Sequence, residues 1–160
     1  MSQYQWALFF HLASAVLLAG GALTYHFLHL SLLKRERPSE IATLFGSARI
    51  ATTAIQAGAL GTIVFGIWLA FIGEPDYGFD AWVIVAIVLW VIANGLGAVG
   101  GKMYENGQKL AARLATEGDA PSPELTAVIR SPKAAALTYA STTLIVVILV
   151  LMVWKPGADF

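Results

Sequence analysis

Three histidines, His11, His26 and His29, are the residues of this sequence best suited to chemistry, and all three lie in its first uncharged run. Imidazole can ligate a haem iron, and two haems stacked in a membrane bundle need ligands at about the separation of His11 and His26. On a continuous helix, His26 lies about 22 Å beyond His11 along the axis and roughly 60° around it, so the two face broadly one side. No other run contains a histidine. A bis-histidine haem therefore requires a homodimer that pairs first spans, a partner subunit, or an iron with one protein ligand. His11, His26 and His29 are candidate cofactor-binding residues on this argument, with haem the cofactor suggested. Plainer roles compete: His11 can hydrogen-bond across a helix bundle, and His26 and His29, spaced i to i+3 and close to Lys34, can reach lipid headgroups.

Other chemistry is sparse. Cysteine is absent, which removes disulfides, thiolate metal sites and cysteine nucleophiles together. The methionines are only Met1, Met103 and Met152, too few for the sulfur-rich copper sites of membranes, so no metal site is expected. No acidic residue falls within any uncharged run. A pump built on an intramembrane carboxylate and a catalytic carboxylate pair are therefore unsupported, and no catalytic residue is assigned. Gln56 in the second run and Asn94 in the third are neutral amides at membrane depth, each expected to bond the backbone of a neighbouring helix.

The elements that must position these residues follow from composition. Apolar residues make up 58% of the chain and charged residues 12%, against roughly 45–50% and about 25% in soluble domains. Read from charge to charge, four stretches are free of ionised side chains: residues 1–33, 50–73, 81–101 and 134–154. Each reaches the roughly 20 residues that cross a hydrocarbon core. The expectation is an all-α polytopic membrane protein, an antiparallel four-transmembrane-helix bundle forming a single domain, with spans near 5–33, 48–73, 81–101 and 133–154. The N-terminus has no basic region and no small-residue cleavage site, so the first run is expected to persist as a mature helix.

Lysine and arginine near span ends are retained on the cytoplasmic side. Lys34, Arg35, Arg37 and Arg49 follow the first run, and Lys102, Lys109, Arg113, Arg130 and Lys133 follow the third; only Lys155 lies elsewhere. Loops 34–49 and 102–133 are thus expected in the cytoplasm and both termini outside, in the inner (plasma) membrane. Tyr4, Trp6, Tyr77, Trp82 and Trp154 fall at the outer boundaries, where aromatic rings prefer headgroups; Trp68 and Trp90 are expected between helices. Pro38-Ser39 should cap a helix that runs into the second span, and Arg49 within it should snorkel to water or phosphate. Met103, Leu110 and Leu114 continue the third helix into a cytoplasmic helical segment over 102–131, broken by Gly118 to Pro123. Small residues provide helix contacts: Gly58, Thr62 and Gly66; Gly97 with Gly101; Ala134, Thr138 and Thr142. Such a face can also dock a partner chain or a second copy.

Phe10-His11-Leu12-Ala13 followed by Leu18-Ala19-Gly20-Gly21, and Gln56-Ala57-Gly58-Ala59-Leu60 leading to Gly66-Ile67-Trp68-Leu69, resemble the first two helices of domain of unknown function 2269, a family of bacterial integral membrane proteins. That family is similar in turn to CopD-type and HemJ-type membrane domains, which share a histidine ahead of a glycine on their first helix. The resemblance implies a haem or metal role for His11. Leu18 stands where those relatives carry a tryptophan, and no arginine lies in the span, two departures from the pattern of the porphyrin oxidases.

Three functions are carried forward. The sequence favours a non-enzymatic accessory or structural subunit of a membrane complex, a redox complex among them, whose partners are the lipid bilayer and a homo-oligomer or larger assembly. The alternatives are a haem- or porphyrin-binding protein using His11 for electron transfer or oxidation, and a small-solute transporter. A net charge of zero offers nothing to nucleic acid.

Overall fold

The computed structural model describes residues 2–73, 78 and 80–156. Tyr77 and the acidic residues Glu74 and Asp76, which the sequence places on the outer side, lie outside the described residues. The described residues form five helices: α1 (Gln3–Leu32), α2 (Pro38–Ile72), α3 (Ala81–Thr116), α4 (Pro123–Ile129) and α5 (Pro132–Trp154). The described residues are all-α, and α1, α2, α3 and the stretch from α4 through α5 are long and apolar enough to cross a membrane. Their outer faces settle the solvent. Val16, Phe27, Ile50 and Val153 are 71%, 69%, 79% and 83% exposed, and four helices displaying such side chains need hydrocarbon, not water, around them.

The helix ends follow local chemistry. Ser2 caps α1, accepting from the Gln5 amide, while the Gln5 side chain accepts from the Ser2 amide. Pro38 occupies the first turn of α2, where its missing N–H costs nothing. Ser39, expected as the cap, lies inside the helix; its amide and hydroxyl both donate to the Asp119 carboxylate at 2.7 Å. Asp119 holds a left-handed conformation at φ 57° after Gly118, and so reaches back from the α3–α4 turn to satisfy the start of α2. Those two hydrogen bonds hold its carboxyl below the ordinary aspartate range. Pro123 and Pro132 open α4 and α5, capped by Ser122 and Ser131.

The helices pair as two hairpins, α1 with α2 and α3 with α5. Lipid offers no hydrophobic drive for this, so the backbones must approach closely enough for packing and polar contacts to hold them. A Cβ on Gly58 would lie 2.7 Å from the Ser14 carbonyl oxygen and 2.8 Å from the Leu18 Cα, and one on Gly66 would lie 3.0 Å from His11 Cε1. The expected small-residue stripe of α2 therefore does face α1. In α3 the contact differs from the expected pair: Gly97 meets the Ser141 hydroxyl and Gly100 meets Thr138 and Ala134, while Gly101 has nothing within 4 Å. The i to i+3 pair wins because α5 crosses that face of α3.

At the end that carries α4, Leu32, Ile41, Phe45, Tyr104, Ala111, Leu125, Ile129 and Ala134 form a buried core to which every helix contributes. At the other end Trp82 is 7% exposed and packs with Ala70 and Val83, with Lys155 5.8 Å from its ring centroid. Trp82 is thus a packing residue, unlike the exposed Tyr4, Trp6 and Trp154. Trp68, expected between helices, is 41% exposed.

Candidate functional site

The three histidines sit in different surroundings. His11 Nδ1 lies 3.1 Å from the Thr62 carbonyl oxygen on α2. A carbonyl only accepts, so Nδ1 carries the proton and Nε2 keeps a lone pair. Gly66 makes room for the ring, and Phe10 stacks on Phe65 beside it with centroids 5.1 Å apart. His26 points instead to α5. Thr142 Oγ1 donates to the Thr138 carbonyl, so it accepts from His26 Nε2–H at 2.8 Å. The His26 ring lies flat on Tyr139, at 4.9 Å and 3°, and its Nδ1 is buried with no hydrogen-bond partner among the described residues.

His29 is 7% exposed and its Nε2 lies 2.8 Å from the Tyr104 hydroxyl. The expected headgroup contact of His26 and His29 gives way to interhelical bonds: both lie inside the bundle, where α3 and α5 carry hydroxyls opposite them. His11 and His26, expected to face one side, are each drawn to a different neighbour. Bundle packing, not helix spacing, decides that direction.

Between the two hairpins, in the half of the bundle toward α4, lies an open-sided cavity of about 560 Å³, with Arg49, Gln56, Ala98, Lys102 and Glu105 of its lining exposed. All four long helices line it. From α1 come Leu18, Ala22, Tyr25 and His26; from α2, Arg49, Thr52, Ile55 and Gln56; from α3, Asn94, Ala98, Lys102 and Glu105; from α5, Thr138, Ser141, Thr142 and Ile145. Its volume falls within the roughly 300–1,000 Å³ of small-molecule pockets. Asn94 does not bridge to a neighbouring helix as expected: its amide donates to Trp90 O, one turn back on α3, at 2.8 Å, so its side-chain oxygen is left for the cavity. Gln56 also faces the cavity, and its side chain makes no hydrogen bond among the described residues.

Of the sequence candidates, the cavity gathers His26, Gln56 and Asn94 and leaves His11 and His29 outside its lining. Sequence reasoning missed the α5 hydroxyls as site residues. Thr138, Ser141 and Thr142 stand at i, i+3 and i+4, one helical face; the spacing argument treats Thr138 and Thr142 only as small packing residues and does not single out Ser141. Arg49, expected to reach water or phosphate, is exposed and borders the cavity as well.

The fit of a porphyrin can be read from the same geometry. His11 offers one axial lone pair, with its ring held by the Thr62 carbonyl in the way that outer-shell partners hold metal ligands. It lines neither the large cavity nor the small one beside His29, so walls for a macrocycle would have to come from a second chain. Among the described residues no three His, Cys, Asp or Glu side chains converge on a point.

No curated protein and no solved structure gives a significant match to the chain. The family comparison does match, across residues 6–156 and hence across all four long helices, and the chain belongs to the family described as predicted integral membrane protein (DUF2269).

Proposed function

We propose that this protein binds a small molecule within the membrane, in the cavity between its two hairpins, loaded from the cytoplasmic side. One observation carries the reading: an imidazole, two amides and several hydroxyls line a single cavity at membrane depth. Polar groups there cost free energy unless they are paired or serve a water-filled site. His26, Thr138 and Thr142 are paired within the bundle, whereas the Gln56 amide and the Asn94 side-chain oxygen have no partner among the described residues and are the groups left for a ligand. The excess of lysine and arginine in the 34–49 and 102–133 segments supports a cytoplasmic α4 end, and Arg49 and Lys102 lie at that end of the cavity. A carrier or transporter of a small solute follows if the hairpins shift against each other, and the polar links between them, His26 to Thr142 and His29 to Tyr104, are the contacts such a shift would exchange.

The chain has no cysteine, so single replacements report cleanly. Ala98 lines the cavity, and its neighbour Val99, 54% exposed, does not. A water-soluble maleimide is expected to label Ala98→Cys about tenfold faster than Val99→Cys, because only a hydrated thiol ionises appreciably. In sealed vesicles the fast reaction should require reagent on the cytoplasmic face. Equal, slow labelling at both positions would remove the hydrated cavity, and fast labelling only from the outside would reverse the orientation.

A second reading is favoured by His11, whose fixed Nδ1–H leaves Nε2 available to iron. A haem so held would supply one-electron chemistry, with the chain's own contribution limited to that ligand and its Thr62 support. Protein purified after supply of haem is then expected to show a Soret band that is lost in His11→Ala and kept in His26→Ala. A colourless wild-type protein under those conditions would end this reading.

A further inference from the structure

We propose that the occupant of the cavity is an amphipathic anion: a phosphate- or carboxylate-bearing head held by Arg49 and Lys102, with an apolar body lying deeper between the hairpins. The inference rests on the reading of the cavity as a binding site and adds the chemical class of what binds.

Charge decides the head. Three ionised side chains border the cavity: Arg49 on α2, and Lys102 and Glu105 on α3. Glu105 is already matched, since its carboxylate takes a hydrogen bond from Lys109 at 2.7 Å, and that ammonium, with Lys102 nearby, keeps its carboxyl below the usual range. Among the described residues, Arg49 and Lys102 have no carboxylate within ion-pair distance. They belong to different hairpins yet border one cavity, so its end toward α4 carries two positive charges, Arg49 and Lys102, against a single carboxylate, Glu105, that Lys109 already engages. A cationic ligand would meet repulsion there, with no acidic residue deeper in the spans to offset it.

Lining decides the body. Beyond the charged end the walls combine Leu18 and Ala22 of α1, Ile55 of α2 and Ile145 of α5. A fully polar anion such as inorganic phosphate would leave these side chains in water, and an uncharged hydrocarbon would leave the two cations unused. An amphiphile satisfies both, and the Asn94 oxygen and Gln56 amide can serve a hydroxyl or carbonyl along it. The head could belong to a membrane lipid or to a free acyl phosphate or carboxylate; both present the same chemistry to Arg49 and Lys102. Basic side chains at a membrane surface attract headgroups in any case. The claim is narrower: one head occupies both residues and its body enters the cavity.

The full chain is placed in nanodiscs of zwitterionic phosphatidylcholine, with empty discs as the blank, and equilibrium dialysis measures decyl phosphate, decanoate, decyltrimethylammonium, decyl maltoside and inorganic phosphate. One saturable site is expected for decyl phosphate and decanoate, and none for the other three. Arg49→Gln and Lys102→Gln should each weaken decyl phosphate about tenfold, the loss of one charge-assisted hydrogen bond. Ala98→Trp, which fills the cavity, should abolish it. Discs containing phosphatidylglycerol separate the sources: displacement of decyl phosphate assigns the site to a lipid headgroup and persistence assigns it to a free amphiphile, each upholding an anionic ligand. Binding of the cation or the maltoside as tightly as the phosphate, or indifference to both charge removals while Ala98→Trp still blocks, would overturn the anion and leave the cavity as a binding site. Saturable binding of no probe would overturn both.

Discussion

Replacing Gly58 by leucine is expected to cost about 3 kcal/mol or more, or to prevent the folded protein from accumulating, while the same change at Gly20 should be nearly silent. The two glycines differ in what surrounds them. A Cβ on Gly58 would press on backbone atoms of α1, the Ser14 carbonyl oxygen at 2.7 Å and the Leu18 Cα at 2.8 Å, besides the Leu18 amide nitrogen; Gly20 has nothing within 4 Å. A side chain can rotate away from an intruder, but a helix backbone can retreat only if the hairpin opens. Opening would stretch the His11 to Thr62 bond and unstack Phe10 from Phe65, the contacts of the same interface. Even Gly58→Ala should be measurably destabilising. Unfolding in mixed micelles, followed by helical signal against denaturant fraction, reads all three variants; comparable stability for Gly58→Leu and Gly20→Leu would show that close approach of α1 and α2 is not what holds the hairpin.

Leu125→Ala should lose about 2–5 kcal/mol, the range for emptying a fully buried leucine site. Leu125 is 1% exposed and belongs to the core that joins α4 to Leu32 of α1, Ile41 and Phe45 of α2 and Tyr104 of α3. This core lies at the charged end of the bundle, where water competes for the segment, so burial there stabilises as it does in a soluble domain. Leu23→Ala is the control. Leu23 is 60% exposed and faces hydrocarbon, which refills the space a smaller side chain leaves, so the change should stay below about 1 kcal/mol. The same unfolding measurement decides; equal losses at both positions would mean that α4 is not docked. Loss of α4 should also loosen the Asp119 hold on Ser39, since both sit in the connection between α3 and α5.

Much of this architecture was legible in the chain. Four long runs without an ionised side chain leave a backbone in hydrocarbon no option but the helix, which satisfies its own N–H and C=O groups. The prolines at 38, 123 and 132 mark helix starts because a first turn needs no amide there. The α2 glycine stripe announced its face. What escaped was direction. Helix spacing put His11 and His26 on one side, yet the Thr62 carbonyl draws one imidazole to α2 and the Thr142 hydroxyl draws the other to α5. Ser39 looked like a cap because serine commonly is one; the true satisfier, Asp119, lies far along the chain and enters only through the left-handed turn after Gly118.

What the sequence determined by itself is therefore the solvent and the count of spans, since both depend on side-chain transfer energies summed over consecutive residues. The cavity belongs to the tertiary structure alone. Leu18, Gln56, Asn94 and Thr142 come from four helices, and no local pattern in any of them specifies that the hairpins, each closed on its own small residues, meet with a gap between them. Packing distances of a few ångströms between separate helices set that gap, and such distances follow from where bulky and small side chains oppose each other in space.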